Sequence, residues 1–135
     1  MTRPRSIRIA ALMLLGGLVV AGPAAAADAP SFQRDIVPLL KNRCAACHLT
    51  GEEPGGMALH PGGAYASLVG MPSEEVALKR VQPGDPAGSY LLHKLKGTHV
   101  EAGGVGVRMP MDGPPLNGAE IARIQAWIAA GAPRN

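Results

Sequence analysis

Two thiols three positions apart, with a histidine directly after the second, constrain this chain more than any other stretch: Cys44-Ala45-Ala46-Cys47-His48. On a helical turn that offset puts both sulfurs on one side. Cys-x-x-Cys-His is the pattern of a c-type haem attachment site. There the thiols add across the two vinyl groups of haem and become thioethers. The adjacent imidazole then reaches the iron from the tethered face, as a proximal histidine does. The chain has 2 cysteines, both in this run, so no thiol remains for a structural disulfide. A zinc site needs about four ligands, and here the 2 cysteines are joined only by 4 irregularly spaced histidines. A thioredoxin-like redox pair would sit near a βαβ pattern, and the chain shows none. The motif therefore predicts one covalent haem c held by Cys44 and Cys47, with His48 on its iron.

The N-terminus reads as an export signal. Arg3, Arg5 and Arg8 precede an apolar run from Ile9 to Val20, and Ala21-Gly22-Pro23 breaks it before the small residues Ala24 to Ala27. These are the three regions of a secretory signal peptide. The apolar run is well short of the ~20 residues that span a bilayer. Cleavage is expected after Ala27, giving a signal over 1–27 and one domain over 28–135. No cysteine stands directly after the apolar run, so nothing points to a lipid anchor. The expected location is the periplasm, with the membrane involved only in export.

Removing the signal changes the charge argument. The whole chain has 13 Lys+Arg against 10 Asp+Glu, and three of those arginines belong to the signal. The remaining domain is formally neutral, so charge predicts no affinity for nucleic acid. Its large aromatics are few: Phe32, Tyr65, Tyr90 and Trp127. A haem would supply the missing apolar bulk, and the many glycines and prolines read as loops around it.

A helix is predicted over 32–43. Ser31 can cap it, Asp35 suits its positive end, and Phe32, Ile36, Leu39 and Leu40 share one face. Pro38 should kink this helix or mark its true start. Tyr65 to Val69 reads as a short helix, and Glu74 to Val81 fits either a helix or an extended stretch. Asp85 with Pro86, or else Ser89, can start a further helix that buries Leu91, Leu92 and Leu95 and ends at Gly97. The clearest helix begins at Asn117, where Glu120 completes a capping box. Ile121, Ile124, Trp127 and Ile128 form its apolar face, and Gly131 and Pro133 stop it. Trp127 is expected to pack against the first helix.

A first helix running into Cys-x-x-Cys-His, loops, a late Met-Pro and a closing amphipathic helix: this order resembles a class I cytochrome c domain. It is most similar to the planctomycete-type cytochrome c family. The residues that carry the resemblance are Phe32 to Leu40, Cys44 to His48, Gly55 to Leu59, Val81 to Pro86, Ser89 to Leu92, Arg108-Met109-Pro110 and Ile121 to Ala132. The family often has Met-Pro-Pro where this chain has Met109-Pro110-Met111. The resemblance implies an all-α monohaem fold, with the N- and C-terminal helices packed around the haem and crossing on one side of it. It also implies one-electron transfer in the periplasm.

The second iron ligand must come from a loop far along the chain. Met109 is the expected one, on the Met-Pro match to the family; Met111 and His99 are the alternatives. Met57 lies close after His48 and is expected to pack on the proximal side, while His93 reads as a satisfied helix histidine. A monomeric carrier docking transiently with redox partner proteins is the leading function, because no nucleophile–base pair or phosphate loop is present. An electron-acceptor subunit of a larger dehydrogenase stands beside it. So does a haem enzyme or gas-binding protein with an open sixth position.

Overall fold

The computed structural model describes residues 29–135, so the export signal expected over 1–27 lies outside the described residues. The first helical stretch opens as a widened π-helical turn, Phe32–Ile36, and continues as α1, Val37–Arg43. Ser31 caps it as expected. Its Oγ accepts from the Arg34 N–H, and its own N–H donates to Asp35 Oδ2 at 2.7 Å. Pro38 falls in the first turn of α1. It has no N–H to donate and its ring crowds the turn behind it. The turn before it widens, with the Val37 N–H reaching back to the Phe32 carbonyl. The apolar face nevertheless runs on unbroken, burying Phe32, Ile36, Leu39 and Leu40.

Ala64–Leu68 forms α2, Tyr90–Lys96 forms α3 and Gly118–Ala129 forms α4. Regular structure among the described residues is all helical, supplemented by four isolated β-bridges. Residues 74–81 are not helical. Residues 74–78 form a run of bends, and only Lys79 and Val81 pair in isolated bridges, with Pro72 and Ser89 and with Val69. Ser89, not Asp85, is the N-cap residue of α3. The Asp85 carboxylate is taken up by the Gly88 N–H at 2.9 Å. Gly97 closes α3 with φ of 82°, a left-handed conformation open to glycine at little steric cost. Leu92 and Leu95 enter the core, whereas Leu91 is half-buried.

At α4 the capping box is complete. Asn117 Oδ1 accepts from the Glu120 N–H at 2.9 Å, and Glu120 Oε2 accepts from the Asn117 N–H at 2.7 Å. Ile124, Trp127 and Ile128 are fully buried, while Ile121 is only partly covered. Trp127 packs on the first helix as expected, its ring centroid 5.3 Å from that of Phe32. Phe32 also meets Tyr65 edge-on at 5.1 Å, a favoured aromatic geometry. The chain's end ties this corner down, since Asn135 accepts from the Phe32 N–H and the Ser31 hydroxyl, each at 2.9 Å. This corner fixes the start of the first helical stretch, and α1 carries the chain into Cys44.

Candidate functional site

Cys44 follows directly on α1, its N–H donating to the Leu40 carbonyl at 2.9 Å. The chain then makes one more turn. The N–H groups of Cys47 and His48 both donate to the Cys44 carbonyl, at 3.1 and 3.0 Å. The turn is held from the far side by the Leu59 N–H, which donates to the His48 carbonyl at 2.8 Å. Both thiols are free; Cys44 is half-buried and Cys47 exposed. Burial pushes the Cys44 thiol up to about 11, against a smaller opposing pull from Arg43. It is therefore a neutral S–H at physiological pH.

Cys44, Cys47 and His48 line one cavity of about 480 Å³. That size lies within the range of about 300–1,000 Å³ common to ligand sites. The walls are largely apolar: Met57, Leu59, Leu68, Leu91 and Leu95 contribute to them, and Met109 and Met111 complete them from the loop before α4. Met109 is half-buried against the core, and Met111 is 62% exposed. Two thiols, an imidazole and three thioether side chains, from stretches far apart in the sequence, thus open on the same space.

His48 Nδ1 is buried and has no hydrogen-bond partner. Buried polar atoms are seldom left so. Met57 shares this wall with His48: a Cβ on Gly55 would come within 3.3 Å of Met57 Cε and 3.9 Å of His48 Cε1. Gly55 also has φ of 92°.

The other candidates lie differently. His99 is 4% exposed and is not among the cavity-lining residues. Its Nε2 is 3.1 Å from the Gly106 carbonyl, and its Nδ1 is buried without a partner. Both ring nitrogens of His93 are taken, by Thr98 Oγ1 and the Ala87 carbonyl, each at 2.9 Å. Among the described residues no three His, Cys, Asp or Glu side chains gather as a polydentate metal site would require. No described helix is long and apolar enough to cross a membrane.

Polar residues of the wall that were not anticipated include Arg80, Glu75, Tyr90 and Lys94. Arg80 is 8% exposed and donates to the carbonyls of Ser67 and Gly55, each at 2.8 Å. Among the described residues its one carboxylate neighbour is Glu74 at 3.4 Å, itself largely exposed. Glu75, Tyr90 and Lys94 form a second group on the wall. Tyr90 and Lys94 are four residues apart on α3, which puts them on one face; that spacing is the only sequence signal they offered.

The loop after His48 carries a pH-sensitive contact. The Glu53 carboxylate accepts from the N–H groups of Thr50 and Gly51, at 3.0 and 2.9 Å, and from the Thr50 hydroxyl at 3.0 Å. Backbone hydrogen bonding, led by its own N–H and opposed by a smaller desolvation, draws its pKa down to about 2. A carboxyl lowered on folding stabilises above its unfolded pKa, and that stabilisation fades as pH falls through the folded one. Glu53→Gln should therefore melt below the parent at neutral pH, and the gap should close between about pH 4.5 and 2. Melting curves of both proteins across that window check this; a gap that stays constant with pH would contradict it.

No protein-family model matches the chain, and neither a curated protein nor a solved structure matches it.

Proposed function

We propose that this chain is a periplasmic monohaem c-type cytochrome that carries single electrons. The observation that carries the reading is convergence: Cys44, Cys47, His48 and Met109 open on one apolar-walled cavity of ligand size. The donor set fits the group, with two free thiols to tether it and an imidazole whose buried Nδ1 has no partner among the described residues. Haem, when bound, supplies an iron that accepts and releases one electron.

The chain's own residues do the rest. Cys44 and Cys47 would hold the ring through thioethers, and the turn closed on the Cys44 carbonyl keeps His48 beside them. Met109 offers a thioether from the loop before α4, and a His/Met ligand pair raises the reduction potential. Arg80 places a permanent positive charge on the wall, suited to the acidic groups of the ligand. Leu59, Leu68 and Leu95 keep that side of the site dry. With His48 and Met109 both available to an iron held there, the site would suit electron transfer more than diatomic binding. Partners would be redox proteins docking through small, transient contacts. The acceptor-subunit reading differs from this only in the partner.

Met109→Ala is the experiment. The oxidised parent should show the weak long-wavelength sulfur-to-iron absorption band. The variant should lose it, bind carbon monoxide when reduced, and have a lower potential. Met111→Ala should keep all three parental properties. If the band survives Met109→Ala and vanishes in Met111→Ala, the ligand is Met111. If the parent never shows it, a histidine such as His99 or an open position replaces methionine.

A further inference from the structure

We infer that Glu75, Tyr90 and Lys94 form a latch that holds the Met109 loop on the cavity and thereby sets how readily an outside ligand displaces the Met109 sulfur. The inference rests on the reading of Met109 as an iron ligand.

Residues 97–116 contain no helix or strand. Val100, Val105 and Val107 point largely into solvent, at 64, 68 and 51% exposure, so apolar burial holds this loop poorly. Ordering such a segment costs conformational entropy residue by residue. Discrete polar contacts must therefore supply much of its fixation: Arg43 holds the Pro114 carbonyl at 2.6 Å, His99 reaches the Gly106 carbonyl, and the contacts that fix Val105 and Met109 gather at Glu75 and Lys94.

Lys94 touches the loop twice. Its ammonium donates to the Val105 carbonyl at 2.9 Å, and its backbone carbonyl accepts from the Met109 N–H at 3.0 Å. The same ammonium pairs with Glu75 at 3.3 Å. Both side chains are sheltered, at 13 and 29% exposure, so this pair is screened less than a surface bridge. Glu75 also accepts from the Tyr90 hydroxyl and, at 3.4 Å, from the Val105 N–H. Burial works against the Glu75 carboxylate, but the Tyr90, Lys94 and Val105 contacts outweigh it and keep the group ionised. The loop passes so close that a Cβ on Gly104 would collide with the Tyr90 hydroxyl. One carboxylate thus gathers a hydroxyl, an ammonium and a loop N–H, four residues before Met109 is hung on α3.

The latch acts on Met109 through the loop and touches no electron itself. Its test is displacement of the distal ligand by imidazole added to the oxidised holoprotein, read from the visible spectrum. Removing one charge-assisted hydrogen-bond network should raise imidazole affinity by about tenfold in Glu75→Gln. Tyr90→Phe should shift it the same way. In a Met109→Ala background, where nothing needs displacing, Glu75→Gln should leave the affinity unchanged.

An affinity unmoved by Glu75→Gln and Tyr90→Phe in holoprotein would overturn the latch alone. So would an equal shift with and without Met109, because the residues would then act on the cavity and not through the ligand. A parent chain purified without covalent haem would overturn the cofactor reading, and the latch with it.

Discussion

A Cys44→Ser, Cys47→Ser variant is expected to be recovered without covalent haem and largely unfolded or degraded. Serine nearly matches cysteine in size, so the expected loss does not come from a packing defect at the turn. It comes from the ligand. Met57, Leu91 and Met109 are half-buried on the cavity wall and would be covered by a group seated there. Fully burying one such side chain is worth about 1.5–3 kcal/mol. Several together are comparable to the 5–15 kcal/mol that separates a folded domain from its unfolded chain. Few side chains of the long loops at 49–63 and 97–116 reach the core, chiefly Leu59 and Leu116. Far-ultraviolet circular dichroism through a thermal scan reads the outcome. A haem-free variant as helical as the holoprotein, and as cooperative in melting, would mean that the domain folds on its own core.

Trp127→Ala should be the next most damaging change. Trp127 is fully buried, stacks near Phe32, and donates its indole N–H to the Pro133 carbonyl at 3.0 Å. The substitution removes the largest side chain from the joint between α4 and the first helix, and leaves that carbonyl without its partner. Large-to-small changes of this kind cost about 3–5 kcal/mol. For a domain of this size each kcal/mol lowers the melting temperature by roughly 4–8 °C, so a drop of more than ten degrees is expected. The visible spectrum of whatever remains folded should stay of the His/Met type, because Trp127 does not line the cavity. A shift of only a few degrees would contradict the packing described for the α4 joint.

The parts of the fold that were legible in the sequence are those fixed by neighbours. The α4 capping box needs only Asn117 and Glu120, three residues apart, and the Trp127 face follows from helical periodicity. The thiol–thiol–imidazole turn is equally local. Pro38 was ambiguous because missing one N–H is compatible with a kink, a start or, as found, a widened turn before it. Residues 74–81 were ambiguous because their partners lie elsewhere, at Val69, Pro72 and Ser89. The tie from Asn135 to Ser31 and Phe32 spans more than a hundred residues, and nothing in either segment announces it. The polar wall of the site was hidden for the same reason. Arg80 meets Gly55, and Glu75 meets Val105, only after the chain has folded back on itself. A composition scan sees these as ordinary surface charges.

We propose that one haem is joined to this chain through Cys44 and Cys47. Intact mass spectrometry of the protein purified from the periplasm of a host with haem-attachment machinery tests it most directly, followed by digestion and sequencing of the modified peptide. The expected result is a chain shortened by the residues up to about Ala27, heavier by one haem, with the added mass on the peptide containing Cys44 to His48 and no free thiol. A chain of unmodified mass, with both cysteines open to alkylation, would contradict the account.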